Sequence, residues 1–186
     1  RPSGGHCSSS RPPCCWGWRL ATGPSLTQAD VDQVRGKATV VCVNDAHRLA
    51  PWADVLYSSD RYWWRYYRGV PSFAGARYGV GSTPGKSNPF QGLPDVQVLK
   101  NTGYDGIEAS PSGLRTARNS GYAAINLAVH FGAARVLLLG YNMGYPKGQA
   151  HFFGDHPPVL RQHEHLYPAF RDSFVSMIDP LKALGV

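Results

Sequence analysis

Hydrophobic and polar positions divide the chain into short apolar runs separated by helical stretches. Residues 16–20 (WGWRL) read as a first strand, 21–26 (ATGPSL) as a turn, and 27–35 as a helix. Thr27 stands where a helix cap belongs, and Asp30 falls three residues later in the capping-box position. Residues 38–43 (ATVVCV) are β-branched and apolar at nearly every position, the signature of a strand buried on both faces and so of a parallel sheet. Residues 54–57 (DVLY) predict a third strand, and 60–68 (DRYWWRYYR) an aromatic-rich helix. Those aromatic rings could stack a base, but packing is the commoner use of such a cluster.

The middle of the chain, residues 69–112, is rich in Gly, Pro, Ser and Asn and predicts a lid or long loops, with a strand only at 96–99. Periodicity returns at 119–131 (NSGYAAINLAVHF), an all-round apolar helix closed by Gly132, followed at once by the apolar strand 135–139 (RVLLL). Helix and strand together predict a βαβ-type unit with right-handed crossover. A long loop follows over 140–158, then a last helix over 167–184, with a break expected at Pro180. An α/β fold would normally begin another strand where the chain stops, so a further strand beyond Val186 is expected. The expectation is one α/β, Rossmann-like domain over 16–186. Its sheet is mostly parallel and flanked by helices, with a loop-rich middle section.

Composition changes this picture at the edges. Residues 1–15 (RPSGGHCSSSRPPCC) cannot bury enough apolar surface to fix a conformation and read as a disordered leader. Three of the four cysteines lie there and the fourth, Cys42, falls in a strand, so neither a disulfide framework nor a zinc pattern emerges. The 19 Lys and Arg against 12 Asp and Glu give a formal charge of +7, which favours anionic partners. No run of five or six like charges and no basic heptad region appears, so nucleic acid is set aside as a partner. No apolar run reaches the length of a membrane span and no signal-peptide core opens the chain, which predicts a cytoplasmic protein.

Candidate chemistry gathers after the strands. The turn Thr22-Gly23-Pro24-Ser25, between a strand and a capped helix, has the geometry that lets backbone amides face a phosphate; an ordinary strand-to-helix turn would look the same. Asn44 and Asp45 follow the second strand, at the edge where open α/β sheets bind ligands, or simply end that strand in an Asx turn. Arg118-Asn119-Ser120-Gly121 opens the buried helix and offers a cap, a positive helix end and room beside it. The segment 145–156 (YPKGQAHFFGDH) gathers Lys147, His151, Asp155 and His156 in one loop, where histidine is the natural acid or base and an adjacent Asp can orient it. A metal site from His151, Asp155 and His156 is the lesser alternative, since the loop has no i, i+4 helical register and no second half-site, and His163 and His165 read as a solvated helix start.

In order along the chain, GPSL, the V-N pair, RNSGYAAINLA, LLLGYNM and KGQAHFFGDH resemble the MptE-like 6-hydroxymethylpterin diphosphokinase family, especially its phage and prophage members. The pattern is also similar to bacterial sialyltransferases that carry GNGPSL, although here Ala21-Thr22 replaces the first Gly-Asn and Asn142 stands where Asp is usual. The resemblance implies a nucleotide-dependent transferase with a CMP-, GTP- or ATP-type donor and a small-molecule or glycan acceptor. Gly23, Pro24, Ser25, Asn44, Asp45, Asn119, Ser120 and Gly121 would hold the nucleotide, with Arg118 and Lys147 offsetting phosphate charge. His156 or His151, with Asp155, would do the proton transfer. Pyrophosphoryl transfer would require Mg²⁺, held by Asp45 or Asp155; sugar transfer from a CMP-linked donor would not. A CMP-sugar (sialyl) transferase is one alternative, and a non-catalytic nucleotide- or glycan-binding protein is another. Unpaired sheet edges would favour an oligomer.

Overall fold

The computed structural model describes residues 16–81, 90, 92–93, 95–161 and 163–186. The leader reading for residues 1–15, with Cys7, Cys14 and Cys15, and part of the lid reading for the middle section lie outside the described residues.

Among the described residues, seven strands form one sheet: β1 (Trp16–Leu20), β2 (Thr39–Val43), β3 (Val55–Ser58), β4 (Ala76–Gly81), β5 (Val96–Gly103), β6 (Gly113–Arg115) and β7 (Arg135–Leu139). Every pairing is parallel, and the order is β6-β5-β4-β3-β2-β1-β7. This is the α/β, Rossmann-like architecture that the apolar runs predict.

Both faces of the central strands are buried, and side-chain alternation sorts them. Leu20, Val40, Cys42 and Leu56 pack with Val31 and Val34 of α1 (Gln28–Val34) and with Trp63 and Trp64 of α2 (Arg61–Tyr66). Val41, Val43, Val55 and Tyr57 turn the other way, onto Ala123, Ala124 and Leu127 of α3 (Ser120–His130). The outer side of α3 is covered in turn, where Tyr122 and Ile125 meet Met177 and Phe174. A helix enclosed by a sheet and a second helical layer is apolar all round, as its sequence shows. Thr27 and Asp30 form the full capping box on α1, and Gly132 takes φ +71° just past α3.

Three expectations need correction. The middle section holds a strand that its composition hides, β4, a second unpredicted strand, β6, follows directly after that section, and β5 runs twice as long as the apolar segment 96–99. In β4, a side chain on Gly79 would collide with the Phe90 ring, so glycine is there for close packing. The βαβ reading places α3 and β7 correctly, but β7 pairs with β1 rather than with the strand that precedes the helix. Helix α3 therefore carries the chain from one edge of the sheet to the other. The last helix is three pieces, α4 (Tyr167–Ser173), a 3₁₀ turn (Phe174–Met177) and α5 (Ile178–Ala183). The break lies before Pro180, in the turn where Ser173 and Ser176 donate side-chain hydrogen bonds to the carbonyls of Phe170 and Ser173.

The crossing helix is fastened by Asn126, which is fully buried. Its Oδ1 accepts from the amides of Glu108 and Arg115 at 2.8 and 3.0 Å, and its Nδ2 donates to the Glu108 carbonyl. Replacing Asn126 with Ala would leave those amides buried without an acceptor, at a cost of about 3 kcal/mol. Urea denaturation of Asn126→Ala measures that loss directly; a change within experimental error would show that water substitutes for the carboxamide.

Candidate active site

The carboxyl ends of the strands open into a cavity of about 560 Å³. All seven strands feed it: Ala21 and Thr22 follow β1, Asn44 follows β2, Ser59 and Asp60 follow β3, Gly81 ends β4, Asn101 lies in β5, Thr116 and Arg118 follow β6, and Met143, His151 and His156 follow β7. Because α1 and α2 cover one face and α3 the other, the loops diverge here and leave a crevice, the usual ligand position in open α/β sheets.

The first wall is the start of α3. Asn119 caps the helix, its Oδ1 accepting from the Tyr122 amide at 3.0 Å. Ser120 and Gly121 open the helix at the cavity, where first-turn amides have no intrahelical acceptor and the dipole is positive. A side chain on Gly121 would press on the Tyr141 ring, so the narrow start of α3 depends on glycine. Ser120 Oγ accepts from the Ser59 amide at 3.0 Å, tying this wall to the end of β3. Arg118, at φ +55°, lays its guanidinium 5.0 Å over the Tyr104 ring, and both line the cavity.

Opposite stand the histidines of the loop after β7. His151 Nδ1 lies 3.0 Å from Thr22 Oγ1, and its ring centre is 4.4 Å from that of His156. Burial, reinforced by the neighbouring His156, pushes the His151 imidazole down to about 4. The His156 side chain is only 8 % exposed and also titrates below the ordinary imidazole value, chiefly through burial. Asn44 lies between the two walls at φ +49°, and its buried Oδ1 has no hydrogen-bond partner among the described residues. An unmatched buried acceptor leaves Asn44 free to take a hydrogen bond from a donor placed in the cavity.

Of the residues singled out from the sequence, the fold brings Asn44, Arg118, Asn119, Ser120, Gly121, His151 and His156 into this cavity. The others stand elsewhere. The Gly23 amide donates to the Gly140 carbonyl at 2.8 Å, and the Ser25 amide and hydroxyl both donate to Asn142 Oδ1. A side chain on Gly23 would strike the Gly140 carbonyl, so GPSL joins β1 to the end of β7 and its amides are not turned to a phosphate. Lys147 and Asp155 are exposed and outside the cavity lining. Asp45 is fully buried, with Oδ2 accepting from Trp63 Nε1 at 2.7 Å and Oδ1 from the Tyr67 hydroxyl at 2.8 Å. The aromatic helix thus serves packing through Trp63 and Trp64, while half-exposed Tyr62 reaches the cavity.

Sequence reasoning missed Asp60, Arg61 and Tyr104, all on the lining, and placed Thr22 only in the phosphate turn. Asp60 stands two residues after β3, which is a usable signal; Arg61 and Tyr104 carry none. Mg²⁺ does not fit the residues the sequence offers for it. Asp45 is enclosed behind the cavity lining with its oxygens held by Trp63 and Tyr67, Asp155 is exposed and off the lining, and no group of three or more His, Cys, Asp or Glu among the described residues could hold a metal ion. No helix among them is long and apolar enough to cross a membrane.

Comparison of the chain with protein-family models, curated proteins and solved structures finds no significant match.

An unfolded imidazole takes up a proton as the pH falls through about 6.5. Folded His151 resists protonation down to about 4. Between those values the unfolded chain binds more protons, so stability falls as the pH falls across the window. Urea midpoints should therefore drop from pH 7 to pH 4.5, and His151→Gln should show a smaller drop. Equal drops in the two proteins would mean that His151 is not held neutral.

Proposed function

We propose that this protein is a nucleotide-dependent transferase acting on a small hydroxyl acceptor. One observation carries the reading: a single cavity sets the positive start of α3, with Arg118, across from two histidines kept neutral by burial. The first wall suits the phosphate of a nucleotide donor, and the second suits removal of an acceptor proton. The cavity falls within the range of small-molecule sites. Tyr62 and Tyr104 offer ring faces to a base or sugar.

In this reading the donor phosphate lies against the Ser120 and Gly121 amides and the Arg118 guanidinium. Asn44 Oδ1 accepts from a donor group of the nucleotide, and the acceptor hydroxyl faces the histidines. As the acceptor oxygen bonds to the transferred group, a histidine takes its proton and the bond to the leaving phosphate breaks. The charge that develops there is met by Arg118 and the helix start, groups already oriented before reaction. The side chains favour transfer from a nucleotide-linked sugar over pyrophosphoryl transfer. Asp60 is the one carboxylate on the described lining, and it caps α2 by accepting from the Tyr62 amide, so a Mg²⁺ bridge between phosphates lacks protein ligands. The resemblance to nucleotide-using transferases supports nucleotide binding through Asn44 and residues 119–121 and is common to both chemistries.

A thermal-shift panel of CMP, CDP, GTP, ATP and CMP-sialic acid, with and without Mg²⁺, tests the reading. A ligand at one hundred times its Kd stabilises by about 2.7 kcal/mol, a rise of several degrees for a domain of this size. Arg118→Ala should abolish most of the shift. If none of these compounds moves the transition, nucleotide binding is refuted; if one binds but His151→Ala and His156→Ala retain every activity found, the catalytic part fails.

A further inference from the structure

We propose that Asp45 is the positioning residue of the site: its clamped carboxylate holds His156 with Nδ1–H inward and Nε2 toward the cavity, making His156 rather than His151 the base. The inference rests on the transferase reading for its function but on geometry for its substance.

His156 Nδ1 is buried and makes no hydrogen bond among the described residues, and Asp45 Oδ2 lies 3.8 Å from it. That distance exceeds a hydrogen bond, as polar contacts in unliganded sites commonly do before they tighten in the complex. The carboxylate is well placed to stay where it is. Trp63 Nε1 and the Tyr67 hydroxyl hold one oxygen each, Trp63 is fully enclosed in the core, and Arg48 Nη1 approaches Oδ1 at 3.9 Å. Each oxygen retains a lone pair, so Oδ2 can accept from Nδ1–H while it accepts from the indole. A histidine whose Nδ1–H faces a carboxylate carries its free lone pair on Nε2, and an imidazolium formed there has its charge balanced at short range.

His151 lacks this arrangement. Its Nδ1 meets a threonine hydroxyl instead of a carboxylate. The charges around His156 are Asp45 and Arg48 from the 3₁₀ turn Asn44–Arg48, Asp60 at the start of α2, and Asp155 and His151 from its own loop. Asp45 comes first among those favouring the protonated ring. In the transfer step, Nε2 takes the hydroxyl proton of the acceptor, the acceptor oxygen bonds to the group carried by the nucleotide, and the electron pair of the broken bond leaves with the phosphate.

Nuclear magnetic resonance reads the arrangement without substrate. Long-range ¹H–¹⁵N correlation of the imidazoles reports the tautomer, with His156 assigned by its loss in His156→Gln. The wild-type protein at pH 7.5 should show His156 as the Nδ1–H form, and the Nε2–H form would overturn the proposal with no variant required. Asp45→Asn preserves shape and removes charge. Because the Trp63 indole can only donate, it keeps the amide oxygen in the Oδ2 position, so the tautomer should persist while the His156 titration midpoint falls by about one pH unit. An unchanged midpoint would show that Asp45 does not support the imidazolium. Nucleotide binding is read separately by thermal shift. Loss of the tautomer with nucleotide binding intact refutes the positioning role alone, and a correct tautomer without nucleotide binding refutes the transferase reading alone.

Discussion

A parallel sheet cannot leave its central strands bare, because strands that pair on both sides expose two apolar faces, and each face needs a cover. Here α1 and α2 cover one face, and the single helix α3 covers the other while carrying the chain from edge strand β6 to edge strand β7. That crossing determines where the site is. The connections from β1 through β6 advance across the sheet in one direction and α3 returns against them. The loops therefore part above the carboxyl ends of the strands, and the start of α3 points into the gap. Fold and site are consequences of the same requirement for burial on both faces.

The second organising element is the clamped Asp45. A carboxylate with no solvent exposure is costly unless its oxygens are matched, and here an indole and a phenol match them. The phenol responds to that contact: burial and the adjacent Asp45 raise the Tyr67 hydroxyl above its ordinary range. The aromatic-rich segment 61–67 is therefore more than filling. It supplies the core with Trp63 and Trp64, and it supplies the donors that keep a charge in place behind the cavity.

Much of the architecture was legible in the chain. Strands β1 and β7 have the bounds their apolar runs predict, β2 and β3 differ by a residue, and the capping residues Thr27 and Asn119 sit at helix starts as short polar side chains should. Strand β4 was not legible, since Arg77, Gly79 and Gly81 break the apolar pattern, and β6 is only three residues long, too short to show one. Arg77 is accommodated by donating to the Phe73 carbonyl at 2.6 Å, and Gly79 by the ring of Phe90. In both cases the residue is explained by a partner remote from the pattern being read.

The sequence by itself determined the class of fold, the two-sided burial of β2, the helix caps, and the nomination of Asn44, residues 118–121, His151 and His156. These depend on local periodicity and on short-range hydrogen bonding, which adjacent residues specify. The tertiary structure alone decided that GPSL is bound to the end of β7 through Gly140 and Asn142, that Asp155 stands outside while Asp45 stands behind His156, and that the two histidines meet the start of α3. Each of those outcomes joins residues distant in the chain, Ser25 with Asn142 and Asp45 with His156 among them. Pairings of that kind are set by how the layers pack, which spacing along a sequence does not encode.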